Sequence, residues 1–488
     1  MAPFAGFIGG WGSGRSVNAN SEQLLNMFVE QPEGPGGMPS LNGRPGLKLL
    51  MTLPDQPVRG ELYQDGRSWA VAGGSYIETT TGVPVIIAPV ANDGLPAGIY
   101  TNGQEGHQNF IVSGGFGYIH DLNSGAFGLI TDAQFPQGYA VMGGFMDGFF
   151  LVLAGPGAPA GSSFQLSSTN SPIIVPEDGT CWSAPLYLAK RSIASDNILA
   201  LIVNHREMWL FGSLTSEGWY DNGTGSFPLA PIPGVFIDQG IAAPWSAVRL
   251  DNSVAWLAQN RDGNRTVMSV NQLAPQRISN FAVEDSLRRC PTVNDFIGYV
   301  MQIGGHLYYV LTSAVNALTW VFDVSQGPKM GWSRWSWLNP VTGLHEAVLG
   351  RCHSAAFGDH WVGDRKSGNI YQASLDVFTD NGTLIERVRQ CPHVSNDEKW
   401  MVVDLLQITG EFGVGLQAPQ QGSQPTLLLR TSRDHGHTFG SERRASMGQI
   451  GNYTSRAMFW GLGAARDWVF RVSCTDPVKT VWTGALLR

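Results

Sequence analysis

The sequence is short of charge. Lys, Arg, Asp and Glu make up only 14% of its 488 residues, against about a quarter in ordinary soluble proteins. Basic residues are the scarcer kind, 31 against 39 acidic, for a net charge of −8. A nucleic-acid-binding domain usually carries a basic stripe and a pI above about 9. Here the pairs Arg288-Arg289 and Arg443-Arg444 are short and read as solvated or salt-bridged surface charges. Low charge with 43% hydrophobic residues also excludes a disordered chain. Cysteine is sparse: Cys181, Cys290, Cys352, Cys391 and Cys474 form no CxxC pair. They read as reduced thiols of a cytoplasmic product, most of them buried. Long apolar runs are missing. Phe149–Ala154 is far too short to span a bilayer, so no membrane insertion is expected. The N-terminus has no basic segment before its apolar part and does not read as a signal peptide. Helical periodicity is hard to find anywhere.

What the chain has is glycine, 61 residues, and tryptophan, 16. Short β-rich runs recur between Gly, Asn, Asp and Pro. Trp69 to Ile77, His107 to Ile119, Gly148 to Gly155 and Ile198 to Phe211 share one form: a strand, a tight turn, then a strand with aromatics. Runs at Ser253, Gly305 and Asp359 continue the series. Unit starts fall roughly 38 to 55 residues apart, which brackets the period of propeller blades. A blade cannot bury both faces alone, so blades stack radially. The fold expected is all-β: a propeller of about six or seven blades over 51–377. A Gly/Pro/Asn-rich arm over 1–50 precedes it, and a β-sandwich-like section over 378–488 follows. An array of β-sandwiches with accidental spacing is the alternative.

The clearest motif is Ser432-Arg-Asp434-His-Gly436-His-Thr438-Phe439, which fits the Asp-box pattern S-x-D-x-G-x-T-F/W. Asp434 can accept bonds from turn amides, Gly436 can take a positive φ, and the hydroxyls can bond locally. Phe439 is expected to pack beneath. Such boxes stabilise hairpins and lie away from active sites. They recur in sialidases, whose sites need clustered arginines for a substrate carboxylate and a tyrosine nucleophile; the spacing here picks out no such set. P-loop and Gly-x-Ser-x-Gly motifs are absent. His345-Glu346 lacks a second histidine, since position 349 is Leu. His435 and His437 could hold a surface metal but read as solvated turn residues, and Cys352-His353 reads as a strand pair. No catalytic residue, cofactor or metal is therefore assigned. In Trp332-Ser-Arg-Trp335-Ser-Trp337, a regular strand puts Trp335 and Trp337 on one face and Trp332 on the other. Tryptophans on both faces suit a blade between neighbours, as core or subunit interface rather than a ligand platform.

The C-terminal text resembles a known family. Leu427 to Phe439, Glu442 to Tyr453, Phe459 to Phe470 and Thr475 to Lys479 are similar to the closing section of packaged-DNA stabilisation proteins, the tail hub or nozzle subunits of short-tailed bacteriophages. Asn26 to Glu30 followed by Arg44-Pro-Gly-Leu47 is similar to that family's opening, and Arg206 to Leu257 touches its centre. The resemblance implies a structural virion protein, made in the host bacterial cytoplasm, with no catalytic role. It implies a homo-oligomeric ring of six copies below the portal and its adaptor, or head-to-tail connector. A tail needle or tip would meet its distal end, with tailspikes or fibres nearby. The ring would retain packaged DNA and pass it through the lumen without sequence-specific binding. An acidic wall suits this, because basic contacts to phosphates would brake passage. A receptor- or glycan-binding propeller and a sialidase-like glycosidase are the rival readings.

Overall fold

The computed structural model describes the chain except residues 33, 35, 160, 169–181, 183–187, 190–195 and 224–226, so Cys181 lies outside the described residues. The protein is 51% strand and 5% helix. Among the described residues seven blades follow one another, with strands between 58–89, 98–129, 140–189, 198–237, 240–277, 297–334 and 350–374. Their innermost strands are Val58–Gln64, Gly98–Thr101, Ala140–Met146, Ile198–Asn204, Val248–Leu250, Ile297–Ile303 and Gly350–Ala356. Each touches the next, and the last touches the first. That closed circle of radial contacts makes a propeller.

The local cause is in the turns and the alternation. Gln64 pairs with Arg67 across Asp65-Gly66, and Met146 with Phe149 across Asp147-Gly148. Both turn residues have positive φ in each case, as tight two-residue hairpins demand. Along Arg67–Ala72, Trp69 and Val71 join the apolar cluster shared with the second blade, while Ala70 and Ala72 join the one shared with the seventh. The side-chain period of two thus feeds both neighbours. Trp69, Trp209, Trp256, Trp320 and Trp332 are all fully buried between blades. Burying one such ring removes about 150–250 Å² from water, on the order of 4–6 kcal/mol before entropy.

The first fifty residues are shared between two bodies. Gly46–Thr52 pairs antiparallel with Asn369–Ser374 and completes the seventh blade. Met27–Glu30 and Ser40–Gly43 extend a sheet with Val481–Leu487, Met401–Gly410 and Ala457–Ala465. Gln23–Leu25 lies between the sixth blade's Trp332–Arg334 and the strand Arg387–Gln390, which continues to Asp467–Cys474, Thr426–Ser432 and Arg443–Ser446. One sheet therefore runs unbroken from propeller into sandwich. The two sandwich sheets close over Phe4, Phe7, Leu24, Leu406, Trp468, Phe470 and Trp482.

One nine-residue helix, Phe281–Arg289, was not legible from periodicity. Asn280 caps it by accepting from the Val283 amide at 3.0 Å, and Ala282, Val283 and Leu287 face the core. Arg288 and Arg289 both pair with Asp285. No described helix is long and apolar enough to cross a membrane.

Candidate functional site

The joint between propeller and sandwich is polar and buried. Asn26 takes φ +55, a left-handed value that Asn tolerates better than most residues. Its Nδ2 donates to the Glu386 carbonyl at 2.8 Å, and its Oδ1 accepts from the Ser336 amide at 2.7 Å. The same oxygen accepts from Arg44 Nε at 3.0 Å. Arg44 then forks onto Asp380 and donates to the Ser336 carbonyl at 2.9 Å. Arg389 is fully buried; it donates to the carbonyls of Phe7, Gly10 and Gly6 and to Glu22 Oε1 at 2.6 Å. Arg387 donates to the carbonyls of Asp476 and Phe378, and burial brings its guanidinium down to about 10. Two of these buried guanidinium groups, Arg44 and Arg389, thus tie the arm to the rest of the chain, while Arg387 joins the residues that follow the seventh blade to the sandwich. Asn26 and Arg44 belong to the two opening motifs; what they bind was invisible in the sequence, since Asp380 and Glu386 lie over three hundred residues away.

The Asp-box turn closes the hairpin between Thr426–Ser432 and Arg443–Ser446. Ser432 Oγ lies 2.6 Å from Asp434 Oδ1 and accepts from the Gly436 amide at 2.9 Å. Thr438 donates its amide to Asp434 Oδ1 at 2.9 Å and its hydroxyl to Oδ2 at 2.6 Å. These donors hold the Asp434 carboxyl well below the usual carboxylate range. Gly436 takes φ +86, and Phe439 is half-buried. His437 Nε2 reaches Asn18 Oδ1 at 2.7 Å, whereas His435 turns inward to Asp467.

Trp332 is fully buried in the cluster between fifth and sixth blades, with its Nε1 donating to the Ile278 carbonyl at 2.7 Å. Trp335, 4% exposed, lies in the cluster between the sixth and seventh blades. Trp337 packs on that cluster half-buried, with Lys366 Nζ 4.6 Å above its ring. The strand is not continuous: Trp332–Arg334 ends in the blade, and Trp337–Leu338 pairs separately with His345–Glu346.

Other groups singled out in the sequence are also partnered. His345 bridges Ser336 Oγ at 2.9 Å and Glu386 Oε2 at 2.7 Å. His353 meets His360 at 3.2 Å, and burial raises the neighbouring Cys352 thiol well above its ordinary value. Arg15, Arg265 and Arg288 gather in one cleft beside the helix Phe281–Arg289. Arg15 and Arg288 face Asp285, and Arg265 donates to the carbonyls of Leu287 and Cys290. The cleft does not present three free guanidinium groups to a substrate carboxylate.

The sandwich exposes apolar surface instead. Trp400, Val402 and Trp460 are 68%, 74% and 51% exposed. They sit on or beside the paired strands Met401–Gly410 and Ala457–Ala465, with Arg466 over Trp400 and Arg488 over Trp460.

Comparison with known proteins agrees with this division. The family description "Bacteriophage P22 Gp10, beta-propeller" matches residues 182–377, and "Bacteriophage P22 Gp10, beta-sandwich" matches 386–488. No curated protein sequence matches the chain. Among solved structures, the computationally designed Ika8 protein is 11% identical, with 72% of this chain and 99% of that one covered, at a TM-score of 0.38. The N-terminal domain of Nup159 is 10% identical over 72% and 98%, at a TM-score of 0.41. The AfRom2 CNH domain is 7% identical over 67% and 99%, at a TM-score of 0.38. With its propeller and sandwich both matched over more than half of its length, the chain belongs to the bacteriophage P22 Gp10 family of tail hub, or packaged-DNA stabilisation, proteins.

Proposed function

We propose that this chain forms the hub ring of a short phage tail. About six copies sit below the portal and adaptor, prolong the DNA channel, retain the packaged genome and pass it at ejection. A tail needle or tip closes the distal end, and tailspikes or fibres dock alongside. The role is structural and needs no cofactor. What carries this reading is the family match across both bodies. Two features support it. The joint welds propeller and sandwich into one sheet, which suits a part under pressure from packaged DNA. Trp400, Val402 and Trp460 put exposed apolar side chains on one pair of sandwich strands, of the kind that subunit contacts use. A glycan platform at Trp332 and Trp335 is disfavoured, because both rings are buried.

Light scattering on the purified protein, alone and mixed with its adaptor ring, tests the proposal. A ring of about six copies formed on the adaptor is the expected result. A chain that stays monomeric with the adaptor and retains a glycan instead would overturn it in favour of the receptor-binding reading.

A further inference from the structure

Three side chains from distant parts of the sequence converge beside the Asp-box turn. His393 follows the strand Arg387–Gln390, Asp467 opens the strand Asp467–Cys474, and His435 sits in the turn at φ +60. Asp467 Oδ2 lies 2.6 Å from His393 Nδ1 and 2.9 Å from His435 Nδ1. The three donor atoms all lie within 4.8 Å of one another. The Asp467 side chain is buried, His393 is nearly so, and His435 opens to solvent.

Two observations point to a ligand. The first is the far side of His393, whose Nε2 is 2.7 Å from the Val17 carbonyl oxygen. A carbonyl only accepts, so Nε2 carries the proton. In the neutral ring, Nδ1 then presents a lone pair to a carboxylate oxygen. Two acceptors at that distance are held together by a cation between them, either a proton or a metal ion. A remote N–H given to a backbone carbonyl is also the outer-shell arrangement that orients metal-ligating histidines. The second observation is Asp467 Oδ1, which is buried without a hydrogen-bond partner. An unmet buried carboxylate oxygen is costly, and a cation held at Oδ2 would neutralise the charge that the two oxygens share.

We propose that His393, His435 and Asp467 form a binding site for a divalent transition-metal ion of the zinc type. Two imidazoles and a carboxylate favour such an ion over magnesium or calcium, which take oxygen ligands. Zinc bonds of about 2.0–2.2 Å set tetrahedral ligands about 3.3–3.6 Å apart, so the His435 contact to Asp467 opens by about half an ångström and the His393 contact by up to about 1 Å. His435, on an exposed turn, has room to give. Water fills the fourth, solvent-facing position. The ion is structural. It clamps the Asp-box turn and the strand at Asp467 to His393, which itself holds the N-terminal arm through Val17. The Asp box gains a task here: by fixing the turn, Asp434 points His435 at Asp467.

The test uses the full-length protein after chelator treatment. Zinc is titrated calorimetrically, and the melting temperature is followed with zinc and with magnesium. One zinc per chain and a raised melting temperature are expected, with no shift from magnesium. His435→Asn removes the imidazole and keeps a residue tolerant of positive φ. It should melt like the metal-free wild type and bind zinc at least about tenfold more weakly. Should it fail to fold, His393→Gln gives the same reading. No zinc binding by wild type would mean that a proton alone joins His393 to Asp467, and would overturn the proposal. Unchanged zinc binding by the variant, which places the ion elsewhere, would overturn it too, as would an equal response to magnesium.

Discussion

Arg44 forks onto Asp380, its two terminal nitrogens donating to the two carboxylate oxygens at 3.0 and 2.5 Å. Both side chains are almost wholly buried, 3% and 2% exposed. Asp380 ends a short strand that pairs in parallel with Gly46–Thr52 on the seventh blade's sheet, so the pair fixes the arm to that blade. Arg44 leads into the strand that closes the seventh blade, and its Nε holds Asn26 at the entrance to the sandwich.

Breaking this pair should be costly from either side. Removing one partner of a buried ion pair strands the other charge, at about 3–5 kcal/mol. Arg44→Ala and Asp380→Ala are therefore each expected to lower stability by that order in urea unfolding. Arg44→Lys should rescue only part, because an ammonium cannot fork onto the carboxylate. A loss below about 1 kcal/mol in both alanine variants would show that the joint does not depend on the pair.

Asp434→Ala should loosen the Asp-box turn, leaving the Thr438 amide and the Ser432 and Thr438 hydroxyls without their acceptor. A cost of about 1–3 kcal/mol follows from charge-assisted bonds. The wild-type contribution has a definite pH sense. A carboxyl depressed in the fold stabilises above its unfolded value and loses that contribution only in stronger acid. The difference between wild type and variant should hold steady from about pH 8 to pH 5 and shrink below about pH 4.

Glu61 behaves oppositely. Burial beside Cys352 pushes its carboxyl up to about 8, so the folded chain holds a proton that the unfolded chain releases. The native state binds more protons, and this group's effect on stability falls as pH rises from about 4.5 to 8. Glu61→Gln should flatten that slope and stabilise the protein at pH 8 by on the order of 2 kcal/mol. Denaturant midpoints at pH 5 and pH 8 check it. Glu346 gives the contrast: Lys366, then Asn339 and Arg365, bring its carboxyl down to about 2. Its contribution is complete above about pH 4.5 and should be lost towards pH 2.

Two tryptophans should separate stability from assembly. Trp332→Ala empties a site between blades and should cost about 3–5 kcal/mol. Trp400→Ala removes a 68% exposed ring and should leave the melting temperature of the free chain nearly unchanged. Loss of ring formation on the adaptor in the second variant, read by light scattering, is the outcome expected of an interface residue.

The sequence by itself determined whatever is local. The blade hairpins were legible because Gly73-Gly74 and Gly114-Gly115 can turn a chain in two residues, between strands that carry aromatics. The Asp-box turn was legible because its donors and acceptors lie within seven residues of one another. The helix Phe281–Arg289 escaped because nine residues give too little periodicity to rise above strand-rich surroundings. Only the tertiary structure decided where the arm goes. Gly46–Thr52 finds its partner strand more than three hundred residues later, and Asn26, Arg44 and Arg389 find theirs across similar gaps. His393 meets Asp467 and His435 in the same way. Hydrogen bonds and charges act over a few ångströms in space, so what they join depends on which strands the closed propeller and the shared sheet bring side by side. No local pattern carries that information.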